Sequence, residues 1–328
     1  MATYKDIKGT SIQVVSSDPS NPVVGQIWYN TTSQTLKGFA NLSASWATGG
    51  NMGLARNKIA GCGTQTAGLG FGGYAPSIPA KTTATEEYNG SAWTAGGNLP
   101  VAKDEAAGFG TQTAGVAAGG AKAGPPYHSN LTEEYNGSAW TAGGNLPMEQ
   151  YKSMACGTQT AGLYFGGGSP PGSHAVATYE YNGTAWTGGG NLTTGRNRAA
   201  GFGTQTAAVA AGGSTPSRTV ATEEYNGTAW TGGGNLPTAK SEFAGAGTQT
   251  AGLAFGGNYP IVATTELYDG SSWTTTSSMN TARRYLAGAG SQAAGLAFGG
   301  TLADNTTRTA ATEEYSTGGP ATVTISGS

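Results

Sequence analysis

Apolar residues in this chain come in short clusters set between glycines, threonines and asparagines, and no stretch keeps the 3.6-residue spacing of an amphipathic helix. The clusters repeat. GTQTAGLGFGG at 63–73 returns as GTQTAGVAAGG at 110–120, GTQTAGLYFGG at 157–167, GTQTAAVAAGG at 203–213, GTQTAGLAFGG at 247–257 and GSQAAGLAFGG at 290–300. A second block, EEYNGSAWTAGGNLP, runs in phase with the first and carries Tyr88, Tyr135, Tyr181, Tyr225, Tyr268 and Tyr315. Trp93, Trp140, Trp186, Trp230 and Trp273 follow the first five of these tyrosines, whereas the last copy has Pro320 in that slot. The missing tryptophan is Trp46, near the other end of the chain, followed by ATGGN as in the repeated block.

Each repeat reads as four short strands. A small-residue segment such as AGFG or AGAG precedes GTQT, AGLAFGG follows it, and TEEY and SAWT complete the unit. Between the last two lies Asn-Gly or, at 269–270, Asp-Gly, the pair that supplies both positive-φ positions of a type I′ hairpin turn. Four-stranded units at a period near 45 residues predict the blades of a propeller. The expected fold is all-β: a six-bladed β-propeller over 35–328, preceded by an extended arm at 1–34. A ring of blades leaves open edges unless the last joins the first. The sixth blade is therefore expected to take its inner strands from the C-terminal end and its outer Trp46 strand from the N-terminal end.

Composition agrees. Glycine fills 57 of 328 positions and only 10% of residues are charged, against usual shares of roughly 7% and 25%. Glycine and alanine suit inner strands crowded around an axis, and the aromatic residues in register argue against a disordered Gly-rich chain. With a net charge of −2 and no basic run, nucleic acid is not an expected partner. No apolar stretch approaches membrane-spanning length, and Met1 to Lys8 lack the apolar core of an export signal.

A double glycine ending the second strand, a Glu-x-Tyr and then a tryptophan, as in Gly256-Gly257, Glu266-Leu267-Tyr268 and Trp273, resemble the kelch signature. The resemblance runs from about 36 to 315 and departs from the pattern where Tyr179 replaces the first glutamate. PVVGQIWYNTTSQTLKGF at 22–39 and the Ala/Thr/Gly-rich texture are similar to tail-fibre-type virion proteins of bacteriophages, marine ones in particular. These resemblances imply a non-catalytic virion protein made in the host cytoplasm. Its arm would hold other virion proteins, and its variable loops would meet a host-surface glycan or protein. The alternatives are a free lectin or interaction adaptor, or a sialidase-like glycosidase.

Little in the chain suggests catalysis. The glycine pairs are not followed by a helix, so they read as strand ends rather than phosphate loops. Cys62 and Cys156 share a repeat slot with Phe109, Phe202, Ala246 and Ala289, as buried thiols would. The pairs Glu86-Glu87, Glu133-Glu134, Glu223-Glu224 and Glu313-Glu314 sit on opposite strand faces and read as scaffold bonds rather than acid–base dyads. Two histidines, His128 and His174, are too few for a metal site, which also counts against a copper-radical oxidase. Tyr-Asp-Gly-Ser-Ser-Trp at 268–273 only partly matches the sialidase box Ser-x-Asp-x-Gly-x-x-Trp. No cofactor or metal is expected. The Asn-Gly-Ser/Thr units have the glycosylation pattern, but hairpin turns already account for them.

Comparison of the copies shows where the chain is free to differ. GTQT and Asn-Gly, on one expected face, scarcely vary. The opposite face combines the loops after the double glycines with the connections between blades, and it gathers the charge and aromatic side chains. Loops on a rigid scaffold are where binding usually lies. The column Arg56, Lys103, Arg196, Lys240 and Arg283, interrupted by Gln150, has two readings: cations at a channel mouth awaiting an anionic or sugar ligand, or structural cations bonding the next blade. The remaining candidates are Asn57, Lys58, Tyr74, Asp104, Glu105, Tyr127, His128, Tyr151, Lys152, Arg198, Tyr259, Arg284 and Tyr285.

Overall fold

A computed structural model describes residues 12–77, 80–168 and 173–325; the first eleven residues of the expected arm and the end of the 321–326 tail lie outside the described residues. The described chain is all-β, without a helix. It divides into a small unit, 1–44 with 317–328, and a large unit, 45–316. In the small unit Gln13–Val15 pairs in parallel with Ile27–Asn30, which pairs with Thr35–Leu42. That strand pairs in turn with Gly319–Thr324, which is the fourth strand of this sheet. Asp18 accepts bonds from Trp28 Nε1, Asn30 Nδ2 and Lys37 Nζ at 3.0, 2.7 and 2.7 Å, and these donors hold its carboxyl down at about 2.

The large unit holds six four-stranded antiparallel sheets. The first comprises Ala60–Thr64, Ala67–Phe71, Thr85–Tyr88 and Trp93–Ala95, and four more follow at the repeat period. The sixth comprises Ala287–Gly290, Ala294–Phe298, Thr312–Ser316 and, from the other end of the chain, Ser45–Thr48, with Trp46 opposite Tyr315. Among the described residues none of the sheets closes on itself. Instead, inner strands of all six line one axial space, through residues such as Gly61, Gly108, Ala155, Gly201, Gly245 and Gly288.

Neighbouring sheets are joined by the repeated residues themselves. Each tryptophan indole donates to the threonine that opens TEEY in the preceding sheet: Trp140 to Thr85, Trp186 to Thr132, Trp230 to Thr178 and Trp273 to Thr222, at 2.9–3.0 Å. The series runs on through Trp46 to Thr265 and Trp93 to Thr312, at 3.0 and 2.8 Å. Each GTQT glutamine donates to two carbonyls of the preceding sheet, as Gln112 does to Gly68 and Tyr88 and Gln65 to Gly295 and Tyr315. The hairpin turn differs from the expected type. Trp93 pairs with Tyr88, leaving the four-residue loop 89–92. Gly90 has φ +90°, while Asn89 stays out of the positive-φ region and accepts from the amides of Ser91 and Ala92 through Oδ1. An Asx turn, not type I′, therefore closes the hairpin.

The double glycine is a structural device. Gly73 donates to Lys103 O at 2.8 Å, and the equivalent bond recurs from Gly120, Gly167, Gly213, Gly257 and Gly300 to the next connection at 2.8–2.9 Å. Both glycines of the first pair have positive φ, and a Cβ on Gly72 would lie 2.6 Å from Lys103 O. Close backbone approach is the reason for the pair.

Between sheets each tryptophan packs on a phenylalanine of the preceding one: Trp140 on Phe71, Trp230 on Phe165, Trp46 on Phe255 and Trp93 on Phe298, with ring centroids 4.8–5.0 Å apart. The second and fourth copies have Ala118 and Ala211 at that slot, and there the ring comes from the inner strand, Phe109 or Phe202, 6.2 Å from Trp186 or Trp273. The cysteines fill this inner slot where the phenylalanine sits on the second strand. Burial pushes Cys62 up to about 12, and both thiols are free and buried. Truncation of Phe109 to alanine is expected to cost about 3–5 kcal/mol in urea unfolding. Phe109→Cys combined with Ala118→Phe, which copies the first repeat, is expected to recover most of that loss.

Candidate functional site

The connections and the loops after the double glycines meet on one face. Asn57 bridges to Tyr74, Tyr151 to Gly168, Asn197 to Ser214 and Ser241 to Asn258, while Lys103–Asp104 pairs with Ala121–Lys122 and Arg283–Arg284 with Thr301–Leu302. Each connection thus lies flat against its own sheet's loop, which fixes two residue columns at different depths.

The deeper column is structural. Arg56, Lys103, Arg196, Lys240 and Arg283 are buried, at 0–2% exposure, and each pairs with the first glutamate of TEEY or TELY. Arg56 meets Glu86 at 3.2 Å, Lys103 meets Glu133 at 2.5 Å, Arg196 meets Glu223 at 2.5 Å and Arg283 meets Glu313 at 2.8 Å; Lys240 pairs with Glu266 in the same way. The arginines also donate to strand-end carbonyls, Arg196 to Gly212 and Ala221. These five cations do not form an open channel mouth, because their charge is already spent inside the sheets. Desolvation depresses the basicity of Lys103 and Lys240 and raises the Glu133 carboxyl. The second glutamate faces the other way and accepts a tyrosine hydroxyl from the following sheet, as Glu87 does from Tyr135 at 2.5 Å. The glutamate pairs are scaffold on both faces.

The third sheet shows what this column requires. Gln150 replaces the cation, and Tyr179 replaces the glutamate it would meet. Opposite Tyr179 stands Tyr164, where the other sheets have alanine or glycine opposite glutamate. Cation and carboxylate disappear together, and a fully buried tyrosine takes their volume. Each exchange is visible in the sequence as an isolated departure; only the pairing shows that they are one event.

The shallower column is Lys58, Glu105, Lys152, Arg198, Glu242 and Tyr285, five residues before each GTQT or GSQA. All six have φ between +51° and +63°, an unusual conformation for such side chains. Their backbones form a ring of hydrogen bonds: Glu105 N to Lys58 O, Lys152 N to Glu105 O, Arg198 N to Lys152 O, Glu242 N to Arg198 O, Tyr285 N to Glu242 O and Lys58 N to Tyr285 O, at 2.8–3.1 Å. The side chains line an axial cavity of about 100 Å³. Glu105 lies 3.5 Å from Lys58 and 3.4 Å from Arg198, and Glu242 lies 3.1 Å from Arg198 and 2.9 Å from Arg284. Tyr285 has Lys58, Arg198 and Arg284 over its ring at 5.1–5.6 Å, and burial beside Glu242 pushes its hydroxyl up.

Of the remaining expected residues, Asn57 is buried and donates to Thr301 Oγ1 at 2.7 Å, and Asp104 is buried against Lys81 at 2.5 Å. Neither is a surface contact. His128 stacks on Tyr151 with centroids 4.1 Å apart, and Lys152 Nζ sits 4.2 Å over the same ring. Tyr127 and Tyr259 stand out at 64% and 70% exposure. Arg218 lies over Tyr259 and Arg308 over Tyr74, at 5.0 and 5.6 Å. Glu242, Lys81, Arg218 and Arg308 escaped the sequence reading. Glu242 was detectable from its repeat column; the other three lie in loops with no register to one another. Among the described residues no three His, Cys, Asp or Glu side chains converge as a metal site would require.

No family model matches the chain, and no curated protein matches it. A solved structure titled "Structure of YjhT" superposes with a TM-score of 0.65 at 14% identity, covering 79% of this chain and 94% of that one. The likeness concerns fold alone: the chain is an all-β, propeller-like array of four-stranded antiparallel sheets.

The cation column generates a direct test. Lys103→Met leaves Glu133 buried and unpaired, and is expected to cost about 3–5 kcal/mol in chemical denaturation. Lys103→Gln with Glu133→Tyr and Ala117→Tyr, the combination of the third sheet, is expected to return most of that stability.

Proposed function

We propose that the six sheets are the blades of a kelch-like β-propeller, joined through the sixth blade by strands from both ends of the chain. In this reading the protein is a non-catalytic virion component, attached through its N-terminal segment to other virion proteins, with its variable face turned to a host-surface glycan or protein. The observation that carries the binding role is the division of labour within each repeat. The glutamine clamps, tryptophan–threonine bonds and Asx turns recur nearly unchanged, whereas the loops on the opposite face differ in every copy and hold exposed tyrosines. Rigid scaffolds with variable loops are suited to recognition, and exposed tyrosine offers an apolar ring with a polar tip.

Several groups that would serve a glycosidase are engaged elsewhere. The repeated glutamates hold cations or tyrosine hydroxyls, and Asp269 of the sialidase-like segment caps its own turn through Ser271 and Ser272. A free lectin or adaptor would use the same face, and association with particles separates it from a virion component.

A glycan array containing bacterial envelope polysaccharides tests the reading on the wild type and on Tyr127→Ala/Tyr259→Ala. Specific binding, at least tenfold weaker in the double variant with its unfolding midpoint unchanged, is the expected outcome. Absence of binding to every glycan would overturn the glycan reading and leave a protein partner.

A further inference from the structure

The axial ring carries more positive charge than its own carboxylates neutralise. It holds three cations, Lys58, Lys152 and Arg198, and two carboxylates, Glu105 and Glu242. Each carboxylate is shared between two cations: Glu105 between Lys58 and Arg198, Glu242 between Arg198 and Arg284 and, beside the ring, Asp104 between Lys58 and Lys81. Lys152 has no carboxylate within ion-pair distance among the described residues, and its Nζ lies over the Tyr151 ring. Arg198 also keeps a buried Nε–H without an acceptor, as the structural Arg56, Arg196 and Arg283 do. In a cavity partly shielded from water such donors and charge favour an anion more than they would on an open surface.

We propose that this cavity takes one anionic group of a saccharide, a carboxylate or a phosphate ester, between Lys152 and Arg198. This rests on the glycan-binding reading of the face and narrows it to a charge and a place. The volume supports a group rather than a whole sugar. About 100 Å³ is room for an anionic group and a few waters, at about 30 Å³ of liquid volume per water. The sugar ring then lies above the mouth, toward the loops. The six-fold pattern is broken in this same sector, where Gln150 and Tyr179 stand in place of the internal ion pair and Lys152 Nζ lies over the Tyr151 ring that stacks on His128.

Calorimetric titration of sodium glucuronate, glucose 6-phosphate and glucose into the wild type, Lys152→Gln and Lys122→Gln tests the site. Lys122 is a cation on the same face outside the ring. At least one anionic probe is expected to bind the wild type and Lys122→Gln at least tenfold more tightly than glucose, to weaken at least tenfold in Lys152→Gln, and to weaken with added salt. Whether glucuronate or the phosphate ester is preferred tells the two sources of charge apart. Equal binding of glucose and the anions, no binding of either anion, or an unaltered Lys152→Gln would overturn the proposal. Array hits confined to neutral polysaccharides and lost in Tyr127→Ala/Tyr259→Ala would leave the wider reading of the face standing while this one falls.

Discussion

A sheet of four strands, each three to five residues long, cannot bury both of its faces alone. Every other feature of the large unit follows from that constraint. Each face must lie against another sheet, so neighbours must approach closely, and the inner strands consist of glycine and alanine where the approach is tightest. A Cβ on Gly61 would lie 2.4 Å from Phe298 of the neighbouring sheet, and one on Gly108 would lie 2.8 Å from Phe71. The polar groups trapped by this packing are then satisfied by one recurring set of donors: indole to threonine, glutamine to paired carbonyls, and tyrosine hydroxyl to glutamate. The end sheets face the same requirement, which is why the strand Ser45–Thr48 completes a sheet whose other strands come from 287–316.

The constraint is on volume and bonding between sheets, not on particular residues at particular slots. Copies exchange Phe71 and Cys62 for Ala118 and Phe109 while keeping a ring beneath the next tryptophan. Leu267 replaces the second glutamate of the fifth sheet, and the hydroxyl of Tyr315 pairs with Thr276 Oγ1 instead. Gln150, Tyr164 and Tyr179 replace a buried ion pair with aromatic volume, consistent with the small net value of such pairs once desolvation is counted. With the framework satisfied inside the sheets, the outer loops are free of it, and charge can collect in the ring around the axis.

Much of this was legible in the sequence. Six copies in phase located the strands and the faces, and Trp46 displaced from Pro320 identified the strand shared between chain ends. The copies could not show depth. Arg56 and Lys58 are two residues apart, yet one is buried against Glu86 and the other opens on the axial cavity; a period-two strand reading does not separate them, because the positive φ at Lys58 turns the chain. Nor could spacing show that Tyr164 stands opposite Tyr179, or that Gly319–Thr324 pairs with a strand nearly the whole chain away. Such contacts belong to tertiary structure, and only their one-sided traces appear in the repeat alignment.

Native-state hydrogen exchange at the six ring amides, of Lys58, Glu105, Lys152, Arg198, Glu242 and Tyr285, measures most directly whether the sheets behave as one joined array. A continuous ring predicts that all six amides open with one free energy and one denaturant dependence, as a single cooperative unit. Selective, low-energy exchange at Lys58 together with the strand Ser45–Thr48 would contradict the account, placing an open seam where the two ends of the chain meet.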